Sequence, residues 1–189
     1  QARLNDTGST FLFARNHHPA MRHVAQARSQ LAGRSIFNLI GPFCNPASPT
    51  IQIIGAPNQA LAKRILDVGM ALEYDTFAVI TSDIGLDECS TVGASTLYIQ
   101  RNKSRFEIII QPEDYGFFHT LSDITVSEHA LARDNANVFK DIIASNNVTH
   151  PIAQLIALNA AVIMHVIDES ITIEDGIHQV FSTFSKLTI

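Results

Sequence analysis

The stretch "TIQIIGAPNQALAKRILDVGMALEYDTFAVITS", residues 50–82, decides the fold. Its first seven residues, 50–56, are mostly apolar and read as a buried strand. Pro57 and Asn58 follow. An Asn side chain can accept from the free N–H groups of a helix's first turn, so Asn58 is read as an N-cap. Leu61, Ile65, Val68, Met70 and Leu72 supply the apolar positions of a helix running to about Tyr74. Residues 76–82, "TFAVITS", read as a second strand. Strand, helix and strand with short connections imply a parallel pair joined by a right-handed crossover. Both strands are apolar rather than alternating, as expected when helices cover both faces of a sheet. The chain is therefore expected to be α/β.

Outward from this unit the elements change character. "TLYIQ" (96–100) and "FEIIIQ" (106–111) read as a hairpin with Asn102, Lys103 and Ser104 between them. After Pro112 the loop "EDYGFFHT" runs on. Ser127 and Glu128 open a helix to about Ser145, Thr149 and Pro151 open another, and Thr172 starts a last one. Upstream, residues 17–31 read as a helix, with Pro19 near its start and Ala20, Val24, Ala27 and Leu31 at helical spacing. Gly33 ends it. Residues 35–49, "SIFNLIGPFCNPASP", carry three prolines and a glycine and predict a helical turn followed by an irregular connector.

The chain has 189 residues, of which 46% are hydrophobic, enough for one sizeable core. A net charge of -5 argues against nonspecific nucleic-acid binding. No apolar run reaches the ~18 residues that would span a bilayer. The richest, residues 155–167, is broken by Asn159 and His165. Neither nucleic acid nor membrane is thus expected as a partner. Cys44 and Cys89 have no disulfide-framework or zinc-site spacing, which fits reduced thiols in a cytoplasmic protein. No signal peptide is read. The chain opens Gln1-Ala2-Arg3-Leu4, without an initiator Met, which permits a missing N-terminal part.

Two places could carry chemistry. Asp87 and Glu88 stand side by side in "SDIGLDECS" (82–90), just beyond the second strand. In open α/β sheets ligands bind beyond the carboxyl ends of the strands. Adjacent carboxylates repel unless they are solvated or bound to a cation. An exposed acidic turn and a cation site both fit the dipeptide. If a cation is held, two carboxylates suit Mg²⁺, which keeps waters and shares substrate phosphates. The second place is "NHHPAMRHVAQAR". His18 and His23 are five residues apart and not on one helix face, so His17, His18 and His23 do not suggest a three-His metal site. Arg28 could form a fork to a carboxylate or could lie along the surface.

"FLFARNHHPAMRHVAQAR", "SIFNLIGPFCNPAS", "GLDECS", "PEDYGF" and "LNAAV" occur in an order and spacing that resemble anthranilate phosphoribosyltransferases, from about Phe11 to about Gly176. The resemblance implies a nucleoside phosphorylase/phosphoribosyltransferase-type fold: an incomplete open, mainly parallel sheet with an added hairpin and flanking helices. It implies a pentosyl transferase of tryptophan biosynthesis that joins anthranilate to the phosphoribosyl group of phosphoribosyl pyrophosphate. It assigns Mg²⁺ to Asp87 and Glu88, and the anthranilate route to His18, Arg28 and Pro42. Arg15 and His17 depart from the family, which usually has Pro after FLFA and often an aromatic before HPAM. The family's helical domain and its Gly-rich and Lys-His-Gly-Asn-Arg loops have no counterpart here. Residues 1–189 are accordingly expected to be one incomplete α/β domain. Residues 10–49 would form a helical hinge that packs on the missing helices, and residues 50–189 the α/β core. The resemblance further implies a homodimer in the intact family and an inactive chain in isolation. The other readings are a fragment of a pyrimidine nucleoside phosphorylase and a non-catalytic paralogue that serves as a binding module.

Overall fold

A computed structural model describes residues 2–12, 36–45, 47–72, 74–125 and 132–186. The chain divides into two compact units, residues 1–49 and 50–189. In the first, the described helices are α1 (Ala2–Thr7) and α2 (Ile36–Phe43). α2 falls where the sequence predicts a helical turn before the connector. The helix expected over 17–31 lies outside the described residues, and so do Ser127 and Glu128.

The second unit holds a four-stranded sheet, order β1-β2-β3-β4, built from β1 (Ile51–Gly55), β2 (Thr76–Ser82), β3 (Ser95–Arg101) and β4 (Ser104–Ile110). β1 and β2 run parallel, with Ile51 beside Thr76 and Gly55 beside Ile80. Helix α3 (Gln59–Ala71) connects them, and Asn58 caps it by accepting from the Leu61 N–H at 2.9 Å. β3 returns antiparallel to β2, and β4 antiparallel to β3. Parallel pairing is thus confined to β1–β2 among the described strands, where a mainly parallel sheet was expected. The cause is in the connections. The loop 83–94 carries no helix, so β3 must turn back on β2, and a two-residue turn at Asn102-Lys103 does the same for β4.

Helices cover both faces. A Cβ on Gly69 of α3 would come within 2.2 Å of the Phe77 ring, so helix and strand meet at a residue with no side chain. Helices α4 (Pro151–Ile167) and α5 (Ile173–Phe184) form a C-terminal helical hairpin. The opposite face presents Ala78, Ile80, Leu97 and Ile99 to it, and these pack into one buried cluster with Leu158 and Val162. A Cβ on Gly176 would lie 2.8 Å from that of Ala161, so the two helices also touch closely. Two-sided cover explains why every residue of β2 is buried. Between β4 and α4 lie a 3₁₀ turn (Pro112–Tyr115), a single helical turn (Leu121–Ile124) and a helix at Ala132–Ser145. α4 is capped by His150, whose Nδ1 accepts from the Ile152 N–H, rather than by Thr149. Among the described residues no helix is long and apolar enough to cross a membrane.

Candidate functional site

Because β1 and β2 are parallel, their carboxyl ends lie together at Gly55 and Ser82. The loop 83–94 leaves from that end and returns at Ser95, which pairs with Ser82. It is built rather than merely spanned. The Ser82 hydroxyl donates to the Leu86 carbonyl at 3.2 Å and accepts from the Leu86 N–H at 2.9 Å. Gly85 takes a left-handed φ of 82° that closes this tight turn. On the far side, the Ser95 hydroxyl accepts from the Ser90 N–H at 2.8 Å. The Ser90 hydroxyl in turn accepts from Val92 and Gly93.

Asp87 and Glu88 stand between these two fixed ends, and two further contacts hold them. A Cβ on Gly55 would lie 1.8 Å from the Asp87 carbonyl oxygen. The loop backbone therefore lies directly on the end of β1, which only glycine allows. Beyond Glu88, Cys89 is fully buried. Its N–H donates to Asn159 Oδ1 at 2.9 Å, and its carbonyl accepts from Asn159 Nδ2 at 2.9 Å.

Both acids keep access to solvent. Neighbouring protein nonetheless partly desolvates the Glu88 carboxyl and raises its pKa, and the Asp87 charge raises it further. Burial, assisted by Glu88 and opposed by a hydrogen bond with Ser95, pushes the Cys89 thiol up to about 12. That thiol stays protonated at neutral pH and is neither a nucleophile nor a metal ligand. Among the described residues no group of three or more His, Cys, Asp or Glu side chains could hold a metal by itself. The donor set is thus two oxygen ligands side by side, with the rest of any shell left open. That suits a hard cation completed by water and phosphate, as Mg²⁺ is.

Pro42 is inside α2 and half-buried. His18 and Arg28 lie outside the described residues. Sequence reasoning missed Gly55 and Asn159 as parts of the loop's support. Asn159 sits in the "LNAAV" stretch, where a poor helix former interrupts an apolar helix, and that interruption was its only local signal.

Residues 1–186 match a family model described as "Glycosyl transferase family, a/b domain". The chain belongs to this glycosyltransferase family. Anthranilate phosphoribosyltransferase of Marinomonas sp. (strain MWYL1) is 31% identical over 175 residues, 93% of this glycosyltransferase chain and 50% of the relative. That of Salinibacter ruber is 35% identical over 169 residues, 88% and 48% of the two chains. Among solved structures, anthranilate phosphoribosyltransferase from Saccharomyces cerevisiae in complex with 4-fluoroanthranilate is similar at a TM-score of 0.83 and 23% identity. The likeness covers 94% of this chain and 51% of that one. The yeast enzyme in complex with PRPP and Mg gives a TM-score of 0.76 at 24% identity, over 89% and 48%. These two structures establish a shared fold. The glycosyltransferase chain described here spans about half the length of the curated relatives it matches.

Proposed function

We propose that this chain is the C-terminal part of an anthranilate phosphoribosyltransferase, a cytoplasmic, homodimeric enzyme of tryptophan biosynthesis. The observation that carries the reading is the acid pair Asp87–Glu88, mounted on a braced loop at the carboxyl end of the parallel strands. Relatives of that name, matched over 88% or more of the chain, support it. Residues 10–49 would serve as the helical hinge toward the rest of the enzyme.

In the reaction, anthranilate's amine attacks C1 of the ribose as the C1–O bond to pyrophosphate breaks; pyrophosphate leaves and the new C–N nitrogen gives up one proton to solvent. When bound, Mg²⁺ supplies charge neutralisation for the leaving group. Asp87 and Glu88 would hold the ion through their carboxylates. Arg28 pairs with the anthranilate carboxylate through its guanidinium fork. His18 orients the ring or its amine, and Pro42 packs against the ring. Positioning of the two reactants supplies much of the remaining rate.

Two variants of the intact enzyme test the reading. Asp87→Asn lowers turnover and raises the Mg²⁺ concentration needed for half-maximal rate. Identical rates across a Mg²⁺ titration would remove the metal from this loop. Arg28→Ala raises KM for anthranilate much more than KM for phosphoribosyl pyrophosphate. Losing a charged hydrogen-bond partner costs about 1.5–3 kcal/mol, on the order of tenfold to a hundredfold. Equal effects on both substrates would make Arg28 structural.

A further inference from the structure

Asn159 lies mid-helix in α4, half-buried, 70 residues from the loop it touches. All of its amide hydrogens are used. Nδ2 donates to the Cys89 carbonyl at 2.9 Å and to the Leu155 carbonyl of its own helix at 3.0 Å, while Oδ1 accepts from the Cys89 N–H at 2.9 Å. Reversing the amide would set donor against donor and acceptor against acceptor at every bond, so its orientation is fixed. The bond to Leu155 locks the side chain to α4. The pair to Cys89 grips both polar groups of one loop residue. Because Cys89 is fully buried, water does not replace those partners.

The gripped residue is the one after Glu88. The N–H that Oδ1 accepts belongs to the Glu88–Cys89 peptide unit, so the clamp fixes the peptide plane from which the Glu88 side chain departs. On the other side, Asp87 lies with its carbonyl against Gly55. The two acids are therefore held from β1 and from α4 at once. Two like charges on a free loop would swing apart into water. Held at both sides they remain together, and a cation need not bear the ordering entropy of collecting them.

We propose that Asn159 is a positioning residue for the Asp87–Glu88 cation site, and that α4 sets the metal affinity of the loop through this amide. The inference rests on the assignment of a divalent cation to these two carboxylates. The loop would then be in place before the metal arrives.

The test measures Mn²⁺ binding to the full protein from the electron paramagnetic resonance signal of the free ion, with Mn²⁺ standing in as another oxygen-preferring divalent cation. Asn159→Ala removes the whole clamp. Asn159→Ser keeps a hydroxyl that can return to the Leu155 carbonyl but cannot reach Cys89, so it answers the question if the Ala variant does not fold. Ile142→Ala truncates a core side chain in a separate cluster with Ile143, Ala153 and Phe184, and serves as the destabilised control. The expected result is an Mn²⁺ Kd raised about tenfold in the Asn159 variants and changed less than twofold in Ile142→Ala. Iodoacetamide labelling, read at the Cys89 peptide because Cys44 is exposed, is expected to be absent at Cys89 in the parent, to appear in the Asn159 variants and to slow again with Mn²⁺. Asp87→Asn separates the two claims. If Asp87→Asn weakens Mn²⁺ while a folded Asn159→Ser binds as the parent does, the positioning role is wrong and the metal assignment survives. If Asp87→Asn also binds Mn²⁺ as the parent does, the metal assignment falls and the positioning role with it.

Discussion

Glu88 shows what the acid pair demands of the metal-free chain. Burial first, and the Asp87 charge second, raise its pKa. The folded chain therefore keeps this proton to a higher pH than the unfolded chain does. Stability then falls as pH rises through the window between the ordinary carboxylate value and the raised one. At pH 7 the desolvated Glu88 carboxyl therefore costs the metal-free fold stability, and a cation bound beside it would offset that cost. Glu88→Gln is expected to melt higher than the parent at pH 7 in chelator, by on the order of 1–2 °C for a solvent-accessible group in a domain of this size. The gap should close below about pH 4, where both states of the parent are protonated, and should shrink as Mg²⁺ is added. Equal melting temperatures at pH 7 would mean that the carboxyl is as well solvated in the fold as out of it.

Among the elements, the hairpin β3–β4 carries a strained turn. Asn102 and Lys103 both have positive φ, 50° and 65°, which is the pattern of a type I′ turn. Asn tolerates this region, whereas Lys adopts it against the preference of its Cβ. Lys103→Gly is expected to stabilise the chain by about 0.5 kcal/mol, because the relieved strain exceeds the added freedom of the unfolded glycine. The check is a melting temperature raised by about 1–2 °C; a lower one would place the strain elsewhere. The same hairpin shows what local sequence conveys. Its strands, the Asn58 cap, and the start of α5 at Thr172 were legible because each is decided by residues a few positions apart. The His150 cap was not, since an imidazole is an uncommon acceptor there and Thr149 stood beside it. Nor was the antiparallel return of β3, which depends on how the loop 83–94 folds on itself. The acid pair could be seen as a candidate from two adjacent residues, but its supports could not. Gly55 meets Asp87 and Asn159 meets Cys89 across 32 and 70 residues of chain, and no spacing rule connects them.

For the whole molecule, the decisive fact is that the matched relatives are about twice as long. Transfer from phosphoribosyl pyrophosphate needs donors for several phosphate oxygens, and the braced loop offers two acids that meet phosphate only through a cation. No Gly-rich phosphate-binding stretch is read in the sequence. The 189-residue chain on its own is therefore expected to bind Mg²⁺ weakly and to make no phosphoribosylanthranilate. It is also expected to self-associate. Ile163 and Ile167 of α4, and Phe106 and Ile109 of β4, are large apolar side chains left exposed, Ile109 at 62%. Ile163 and Ile167, one turn apart on α4, form an adjacent exposed apolar pair, and contiguous exposed apolar surface favours association. The experiment follows anthranilate fluorescence in the presence of phosphoribosyl pyrophosphate and Mg²⁺, with light scattering on the same sample. Loss of fluorescence at a rate near that of an intact enzyme would mean that this chain does hold the phosphates. An inactive but monodisperse monomer would keep the argument from the phosphate donors and overturn the one from exposed apolar surface. The two claims separate because catalysis depends on what the loop lacks, while association depends on what α4 and β4 expose.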